Sequence, residues 1–172
     1  FAVTAESLCY MPGYGIGSAA TTLVGQSMGA GEPRQARHYA ITATAFGAVL
    51  MALAGAAMWL ACPLVFRMLT PSGEVRALAA EVLRIELLAE PLFAVSIVAS
   101  GALRGAEDTL VPSILNLLSI WGVRIGLSLL LVGRLGLHGV WIAMAVELCV
   151  RGLLMLARLW TSSCFGTCRC EP

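Results

Sequence analysis

The chain has 172 residues, of which 59% are hydrophobic and only 12% are charged. A soluble domain carries about 25% charged residues, and a soluble globule of this size needs more polar surface than this composition supplies. The composition therefore excludes a soluble enzyme, a disordered chain and a nucleic-acid-binding protein, and a net charge of +1 gives no sign of an anionic partner. We predict an all-α integral membrane protein that lies in the lipid bilayer.

Charge-poor stretches divide the chain into about five candidate membrane spans, since a membrane helix needs about 20 mostly apolar residues. In chain order they are residues 7–31, 39–66, 75–104, 110–133 and 139–160. The third stretch reads as a single helix, although it carries Glu86 and Glu90 shortly before Pro91. Its uncharged part, residues 91–103, is too short to cross a bilayer alone. The short connections predict one helical bundle rather than two domains.

The arginines predict how the chain is oriented in the membrane. Five lie in segments on one side of the bundle and three lie in segments on the other. The five are Arg34, Arg37, Arg104, Arg158 and Arg169, and the three are Arg67, Arg76 and Arg134. Because cytoplasmic loops are enriched in basic residues, we expect the first side and the C-terminus to be cytoplasmic.

Glycines recur four residues apart, a spacing that lets helix backbones approach closely in lipid. The pairs are Gly13/Gly17, Gly25/Gly29, Gly101/Gly105 and Gly122/Gly126. Two interpretations stay open: close packing of helices, or bending and sliding of the glycine-rich first span during function. Pro12 lies before the first pair and lacks a backbone donor, so we expect a kink there. Pro91 is a second candidate hinge.

Three acidic residues are candidates for a cation-coupling or substrate cavity, because ionisable groups at membrane depth usually face the interior of a bundle. Glu90 lies about 21 Å along the helix from Arg104, which places it at depth, and Glu86 lies one turn earlier. Two carboxylates at this spacing repel each other, so at least one is expected to hold a proton near neutral pH, as a proton-coupled carrier requires. The alternative for Glu86 is contact with the outer headgroups. Glu6 is either an exposed end charge or an acid in an outward-facing cavity.

The fourth and fifth spans also carry charges inside their apolar stretches. Arg124 lies near the middle of the fourth span and needs an acidic partner, and Glu147 lies at a comparable depth in the fifth. Arg151 follows Glu147 by four residues and shares its helix face. We expect a buried cluster of these three residues, which is either a structural clamp between two helices or a gate or substrate contact.

The six cysteines and two histidines do not form a metal motif. Three cysteines are dispersed in apolar spans, and the spacing of Cys164, Cys168 and Cys170 does not match a four-ligand zinc site. No glycine-rich nucleotide loop follows a strand, and no nucleophile lies in a recognisable arrangement with a base. We therefore expect no metal, no resident cofactor and no enzymatic activity.

Several stretches resemble one family of membrane transporters. Residues 12–26 (PGYGIGSAATTLVGQ) and the following Gly-Ala-Gly resemble the eighth helix of the multidrug and toxic compound extrusion (MATE) family. Residues 100–106 (SGALRGA), with Asp108, Thr109 and Pro112, resemble its tenth helix and the following loop. The pattern from Trp121 to Arg124 and residues 139–151 are similar to helices eleven and twelve.

The resemblance implies most of the C-terminal six-helix lobe of a twelve-helix transporter in the cell membrane. MATE proteins export cationic and amphipathic compounds in exchange for protons or sodium ions. Residues 1–160 would form helices eight to twelve, residues 161–172 a disordered cytoplasmic tail, and the N-terminal lobe would be a missing partner. The family's best-known coupling acids lie mostly in helices absent here and are not carried over. Glu90, Glu107 and Glu147 depart from the family's usual residues at their positions.

Two alternatives remain open at the level of sequence. One is a flippase for lipid-linked saccharides, which would need a cationic cavity, and only Arg124 and Arg151 offer such charge. The other is a membrane subunit without transport activity that holds partner helices through the glycine pairs. Five helices cannot enclose a cavity that needs two lobes, so we expect the isolated chain not to transport.

Overall fold

The computed structural model describes residues 2–69 and 73–161, without the side chains of residues 2–6, 8, 63, 66–69, 74–77, 134, 135 and 137. These residues form helices with no strand among them, which confirms the all-α prediction. The α-helices are α1 (Ala2–Gly29), α2 (Pro33–Leu69), α3 (Gly73–Leu87), α4 (Glu90–Gly105), α5 (Leu110–Leu118), α6 (Gly126–Leu135) and α7 (Leu137–Thr161). A π-helical segment, Ser119–Ile125, joins α5 to α6.

Three stretches of the described helices are long and apolar enough to cross a membrane: Pro33–Cys62, Leu110–Gly133 and His138–Thr161. The other two predicted spans are helical as well, but they do not meet this criterion of length and composition. Helix α1 has 28 residues and is rich in Gly, Ser and Thr. The remaining predicted span is divided between α3, which has 15 residues and carries several charges, and α4, which has 16 residues.

The third predicted span is two helices, so the expectation of one helix over residues 75–104 was wrong. Helix α3 ends at Leu87 and α4 begins at Glu90. Pro91 lies in the first turn of α4, where its ring disfavours continuation of a preceding helix and its missing N–H leaves a carbonyl without its usual partner. The amide of Ala89 instead donates to the carbonyl oxygen of Glu86, 2.8 Å away, and closes a short turn. By contrast, α1 continues through Pro12.

Helix α4 is the central element of the bundle. It runs parallel to α1, since Gly17 lies against Gly101, and Gly25 lies one α4 turn later against Gly105. It runs antiparallel to α2, since Gly47 packs on Val98 and Gly55, later in α2, packs on Glu90, earlier in α4. Its other flank contacts α7, and the shared core consists largely of alanine, valine and leucine.

Candidate functional site

Glu86 and Glu90 lie on the two sides of the break between α3 and α4. Each residue is only 2% exposed. Gly55 of α2 packs against Glu90, and a Cβ atom at that glycine would lie 3.6 Å from the Cβ of Glu90. The two carboxyl groups therefore flank a turn inside the bundle, instead of lying one turn apart on a continuous helix. The side chain of the third candidate acid, Glu6, lies outside the described residues.

A second polar group connects α4, α5, the π-helical segment and α7. Glu147 is fully buried, and its Oε1 accepts a hydrogen bond of 2.9 Å from the hydroxyl of Ser119. The same oxygen lies 3.5 Å from Nε of Arg151. The guanidinium of Arg151 also donates to Oδ1 of Asn116 at 2.7 Å and lies 5.5 Å from the ring centre of Phe93. An arginine at this depth thus has a carboxylate, an amide and an aromatic face around it.

Arg124 does not share this group of contacts. Its Nη2 lies 3.3 Å from the sulfur of Met144, and the contacts of the described side chains include no ion pair between Arg124 and Glu147. Helix α7 runs antiparallel to the continuous stretch of α5, the π-helical segment and α6. Ser119 lies opposite Glu147, and Arg124 lies about 7 Å further along the π-helical segment. The structure therefore brings together Glu147 and Arg151 of the predicted cluster, and places Arg124 beside them.

A polar cavity of about 330 Å³ lies between α1, α4, α5 and α7. Its polar uncharged lining consists of Tyr14, Ser96, Ser100, Ser113 and Asn116. Two arginines, Arg104 and Arg151, complete the polar lining. A second cavity of about 330 Å³ shares Tyr14, Ile97 and Arg104 with the first and adds threonines of α1.

Sequence reasoning did not identify these polar uncharged residues as a site. The signal was present, because Ser96 and Ser100 are four residues apart and Ser113 and Asn116 are three apart, so each pair shares a helix face. Polar pairs of this kind in an apolar helix line a cavity or contact a neighbouring helix.

The glycine pairs differ in what surrounds them. A Cβ atom at Gly101 would lie 2.5 Å from the carbonyl oxygen of Gly17, and one at Gly105 would lie 2.5 Å from that of Thr21, so α1 and α4 touch backbone to backbone. Gly13 and Gly25 have looser neighbours, Met51 and the Gly105 carbonyl. Gly29, Gly122 and Gly126 have none within 4 Å among the described residues. The expectation of close packing therefore does not extend to those three.

Polar side-chain contacts lie at opposite ends of the bundle. Arg158 of α7 donates two hydrogen bonds to Oδ2 of Asp108, at 2.7 and 3.0 Å, just after the end of α4. At the other end, Nε2 of His138 lies 3.3 Å from Oε2 of Glu81. Within the described residues, no group of three or more His, Cys, Asp or Glu is placed to hold a metal ion. The cysteines of residues 162–172 lie outside the described residues.

The helical fold, the apolar spans and the polar groups inside the bundle define an integral membrane protein with a polar interior. A family model described as MatE matches residues 1–130. The chain belongs to this family.

Relatives and solved structures agree with this assignment. The chain is 34% identical to "Probable multidrug resistance protein NorM" of Chromobacterium violaceum over 159 residues, which are 87% of this chain and 34% of that protein. It is 35% identical to a protein of the same name from Mesorhizobium japonicum over 164 residues, or 91% of this chain and 35% of that protein. The chain thus spans about a third of the length of the curated relatives it matches.

The fold is also that of a MATE transporter. The structure titled "Crystal structure of eukaryotic MATE transporter AtDTX14" superposes with a TM-score of 0.89 at 24% identity, over 96% of this chain and 37% of that chain. The partial MATE-type lobe that the sequence resemblance implied is therefore confirmed as the fold.

Proposed function

We propose that the chain is most of the C-terminal lobe of a secondary antiporter that exports cationic or amphipathic compounds in exchange for protons or sodium ions. Residues 1–160 act as helices eight to twelve, residues 161–172 as a cytoplasmic tail, and an N-terminal lobe as the partner that completes the central cavity. The family membership and the share of each relative that the chain covers support this proposal. The protein is a transporter and performs no covalent chemistry.

The observation that carries the proposal is the burial of Glu86 and Glu90 at the break between α3 and α4. An ionised carboxylate inside a membrane protein is costly unless a cation accompanies it. Binding of a proton or sodium ion therefore stabilises the state in which the carboxyl groups beside the break are buried. Loss of that ion favours a state in which water reaches them. A ligand shifts a conformational equilibrium only through such a difference in affinity between two states.

Exchange follows when binding of the exported compound and binding of the ion favour opposite states of the lobe. The ion enters from the outer side and neutralises the acids, which favours release of the exported compound there. Rocking of the two lobes then returns the cavity to the cytoplasmic side. Helix α4 contacts α1, α2 and α7, so a change at its first turn is transmitted to three neighbours.

The orientation belongs to the same proposal: a multi-pass protein of the cell membrane with its C-terminus in the cytoplasm. Arg37 at the start of α2 contacts the carbonyl oxygen of Trp160 near the end of α7. Arg158 pairs with Asp108 in the loop after α4. These contacts support the grouping of Arg37, Arg104 and Arg158 at one end of the bundle, as the basic inner side requires.

The lipid-linked saccharide flippase is not favoured, because the matched relatives are named multidrug resistance proteins. Glu147 also offsets one of the two arginines on which that alternative depended.

The test is ethidium efflux from a pump-deficient bacterial host that expresses the natural open reading frame containing this chain. Glu90→Gln and Glu86→Gln remove a negative charge at the break, while Glu32→Gln removes an exposed charge between α1 and α2 as a matched control. We expect wild type and Glu32→Gln to export the dye, and Glu90→Gln to lose most of the efflux. Absence of efflux by the wild type contradicts the transport function. Full efflux by both buried-acid variants contradicts the role of the acids.

A further inference from the structure

An apolar groove lies on the outside of the bundle, between α2 and the break that separates α3 from α4. Its volume is about 510 Å³, which is in the usual range of ligand sites. One wall is a stripe of α2 residues, spaced three and four apart between positions 52 and 60. The other wall consists of Leu87, Leu88 and Pro91. The described lining contains no charged side chain, so the groove suits a hydrocarbon chain.

Small residues and the break together open this groove. The α2 wall includes Ala52, Gly55 and Ala56, which leave space beside the helix. Leu88 lies in the turn between α3 and α4 and is exposed, as is Leu60 on the opposite rim. The groove is therefore accessible from the surroundings of the bundle.

A cation lies at one end of the groove. The guanidinium of Arg84 lies 5.6 Å from the ring centre of Trp59, within the range of a cation–π contact, and Trp59 lines the groove. Arg84 precedes Leu87 by three residues and Leu88 by four, so it shares their side of the chain. The aromatic ring thus connects the apolar lining to a positive charge.

Arg84 is exposed and takes part in none of the ion pairs between described side chains. Glu81, one turn earlier on α3, contacts His138 instead. Glu90 is buried inside the bundle, where it packs against Gly55. The groove therefore combines an apolar lining with a positive charge that is available to an anion.

This end of the groove lies close to the ends of two apolar spans. The span of α2 ends at Cys62, and the span of α7 begins at His138, which contacts Glu81. Trp59 lies three residues before Cys62, and Arg84 lies three residues after Glu81, or about 4.5 Å along each axis. Tryptophan and arginine are typical of the boundary between hydrocarbon and headgroups.

The groove continues from this boundary toward the middle of the membrane. Seven residues of α2 separate Trp59 from Ala52, or about 10 Å along the axis. The charge lies at the membrane edge and the apolar lining lies deeper. A phospholipid in one leaflet has the same order, with its phosphate at the edge and its acyl chains inside.

We propose that the groove binds an anionic phospholipid, with the phosphate at Arg84 and one acyl chain along residues 52–60 of α2. The lipid belongs to the outer leaflet in the orientation proposed above, but its binding does not depend on the export function. Gly55 lines the groove and also packs against Glu90. An acyl chain in the groove therefore covers the bundle beside the buried acids and keeps water from the break.

The charge of Arg84 makes the site selective among phospholipids. An anionic and a zwitterionic lipid both carry a phosphate, but the zwitterionic headgroup brings its own cation, which offsets that phosphate. A basic residue near the membrane surface therefore favours the anionic lipid, by about fivefold.

The experiment uses phosphatidylglycerol that carries a photoreactive diazirine in one acyl chain. The natural open reading frame containing this chain is purified in detergent micelles and irradiated with a trace amount of the probe, and the labelled peptides are identified by mass spectrometry. Unlabelled phosphatidylglycerol and phosphatidylcholine with identical acyl chains are the two competitors. Labelling measures binding whether or not the protein exports a dye.

Two pairs of variants separate the charge from the groove. Arg84→Gln removes the cation, and Arg34→Gln removes an exposed arginine at the start of α2 as its control. Ala56→Phe fills the groove, and Ala57→Phe places the same ring on the next exposed residue, outside the lining. All four positions are exposed, so the unfolding midpoints in detergent should stay close to that of the wild type.

We expect labelling within residues 52–60, with phosphatidylglycerol competing at about fivefold lower concentration than phosphatidylcholine. Arg84→Gln should remove this preference and Arg34→Gln should keep it. Ala56→Phe should abolish the labelling and Ala57→Phe should not. If Ala56→Phe fails to fold, the comparison of the two arginine variants decides alone.

Three results would overturn the proposal. The first is an unlabelled groove, as expected if another helix of the whole protein covers it. The second is equal competition by the two lipids. The third is a preference for phosphatidylglycerol that persists in Arg84→Gln or is lost equally in Arg34→Gln.

Discussion

Thr21 in α1 and Gly101 in α4 are joined by a hydrogen bond, in which the threonine hydroxyl donates to the glycine carbonyl oxygen at 2.8 Å. The same hydroxyl lies 2.9 Å from the carbonyl oxygen of Gly17 in its own helix. A side-chain-to-backbone contact of this length between two helices requires that the backbones lie very close. Gly17 and Gly101 permit it, because neither carries a Cβ atom.

Alanine at the contact should destabilise the bundle. In Gly101→Ala the new Cβ would lie 2.5 Å from a backbone oxygen of α1, which cannot move alone. We expect a loss of about 1–3 kcal/mol, the usual cost of overpacking, measured as a lower thermal unfolding midpoint in detergent. Gly15→Ala is the control, because nothing lies within 4 Å of that Cβ, and alanine there should be neutral or slightly stabilising. Equal midpoints for the two variants would contradict the close contact.

The hydrogen bond of Thr21 should make a smaller contribution than the glycines. Thr21→Val keeps the shape of the side chain and removes the hydroxyl, and interhelical bonds in membrane proteins contribute about 0.6 kcal/mol on average. Thr22→Val is the matched control, since the Thr22 hydroxyl is exposed and bonds only to Ser18 in its own helix. The same thermal assay should rank Thr21→Val below Thr22→Val. The reverse ranking would mean that the interhelical bond adds nothing.

Glu147 and Arg151 should be energetically coupled. Removing one partner of an ion pair costs about 3–5 kcal/mol when the other charge stays fully buried, and it should cost less here because the Arg151 side chain is 14% exposed and lines the polar cavity. Glu147→Leu should therefore be more destabilising than the double variant with Arg151→Met, which removes both charges. Unfolding of the single and double variants in detergent measures the difference. A double variant less stable than Glu147→Leu would show that the pair is not coupled in this way.

Arg124 should be independent of Glu147, although the sequence predicted one cluster. Combining Arg124→Met with Glu147→Leu should give destabilisation that adds to within about 0.5 kcal/mol, as expected for residues without shared contacts. The same double-mutant comparison with Arg151→Met in place of Arg124→Met serves as the positive control. A coupling between Arg124 and Glu147 as large as that between Arg151 and Glu147 would contradict the contacts seen here.

These residues show which parts of the fold and site the sequence predicts. Local spacing was sufficient to predict a contact between two side chains of one helix, as for Glu147 and Arg151. It failed for Arg124, because the partner of that side chain depends on how two helices are aligned and on the π-helical segment between α5 and α6. The glycine spacing identified Gly101 correctly and gave the same signal at Gly122, which has no neighbour within 4 Å. Spacing indicates that a helix face is smooth, but not that another helix covers it.

The break before α4 and the polar cavity could not be predicted from the sequence, because both depend on how the helices pack together. Pro91 was visible in the sequence, but proline is also tolerated within a helix, as Pro12 is in α1. Only the packing of α4 decides which outcome applies. The cavity needs polar residues from four helices, so no single stretch of sequence contains it.

Ion-coupled export is tested most directly by reconstituting the natural open reading frame that contains this chain into proteoliposomes. Ethidium movement is followed while an inward proton or sodium gradient is imposed, and then while it is dissipated. Wild-type protein should move ethidium against its own gradient only while one of the two ion gradients is present, and Glu90→Gln should not. Ethidium movement that is the same with and without both gradients, or that is unchanged in both Glu90→Gln and Glu86→Gln, would contradict an antiporter coupled through the buried acids.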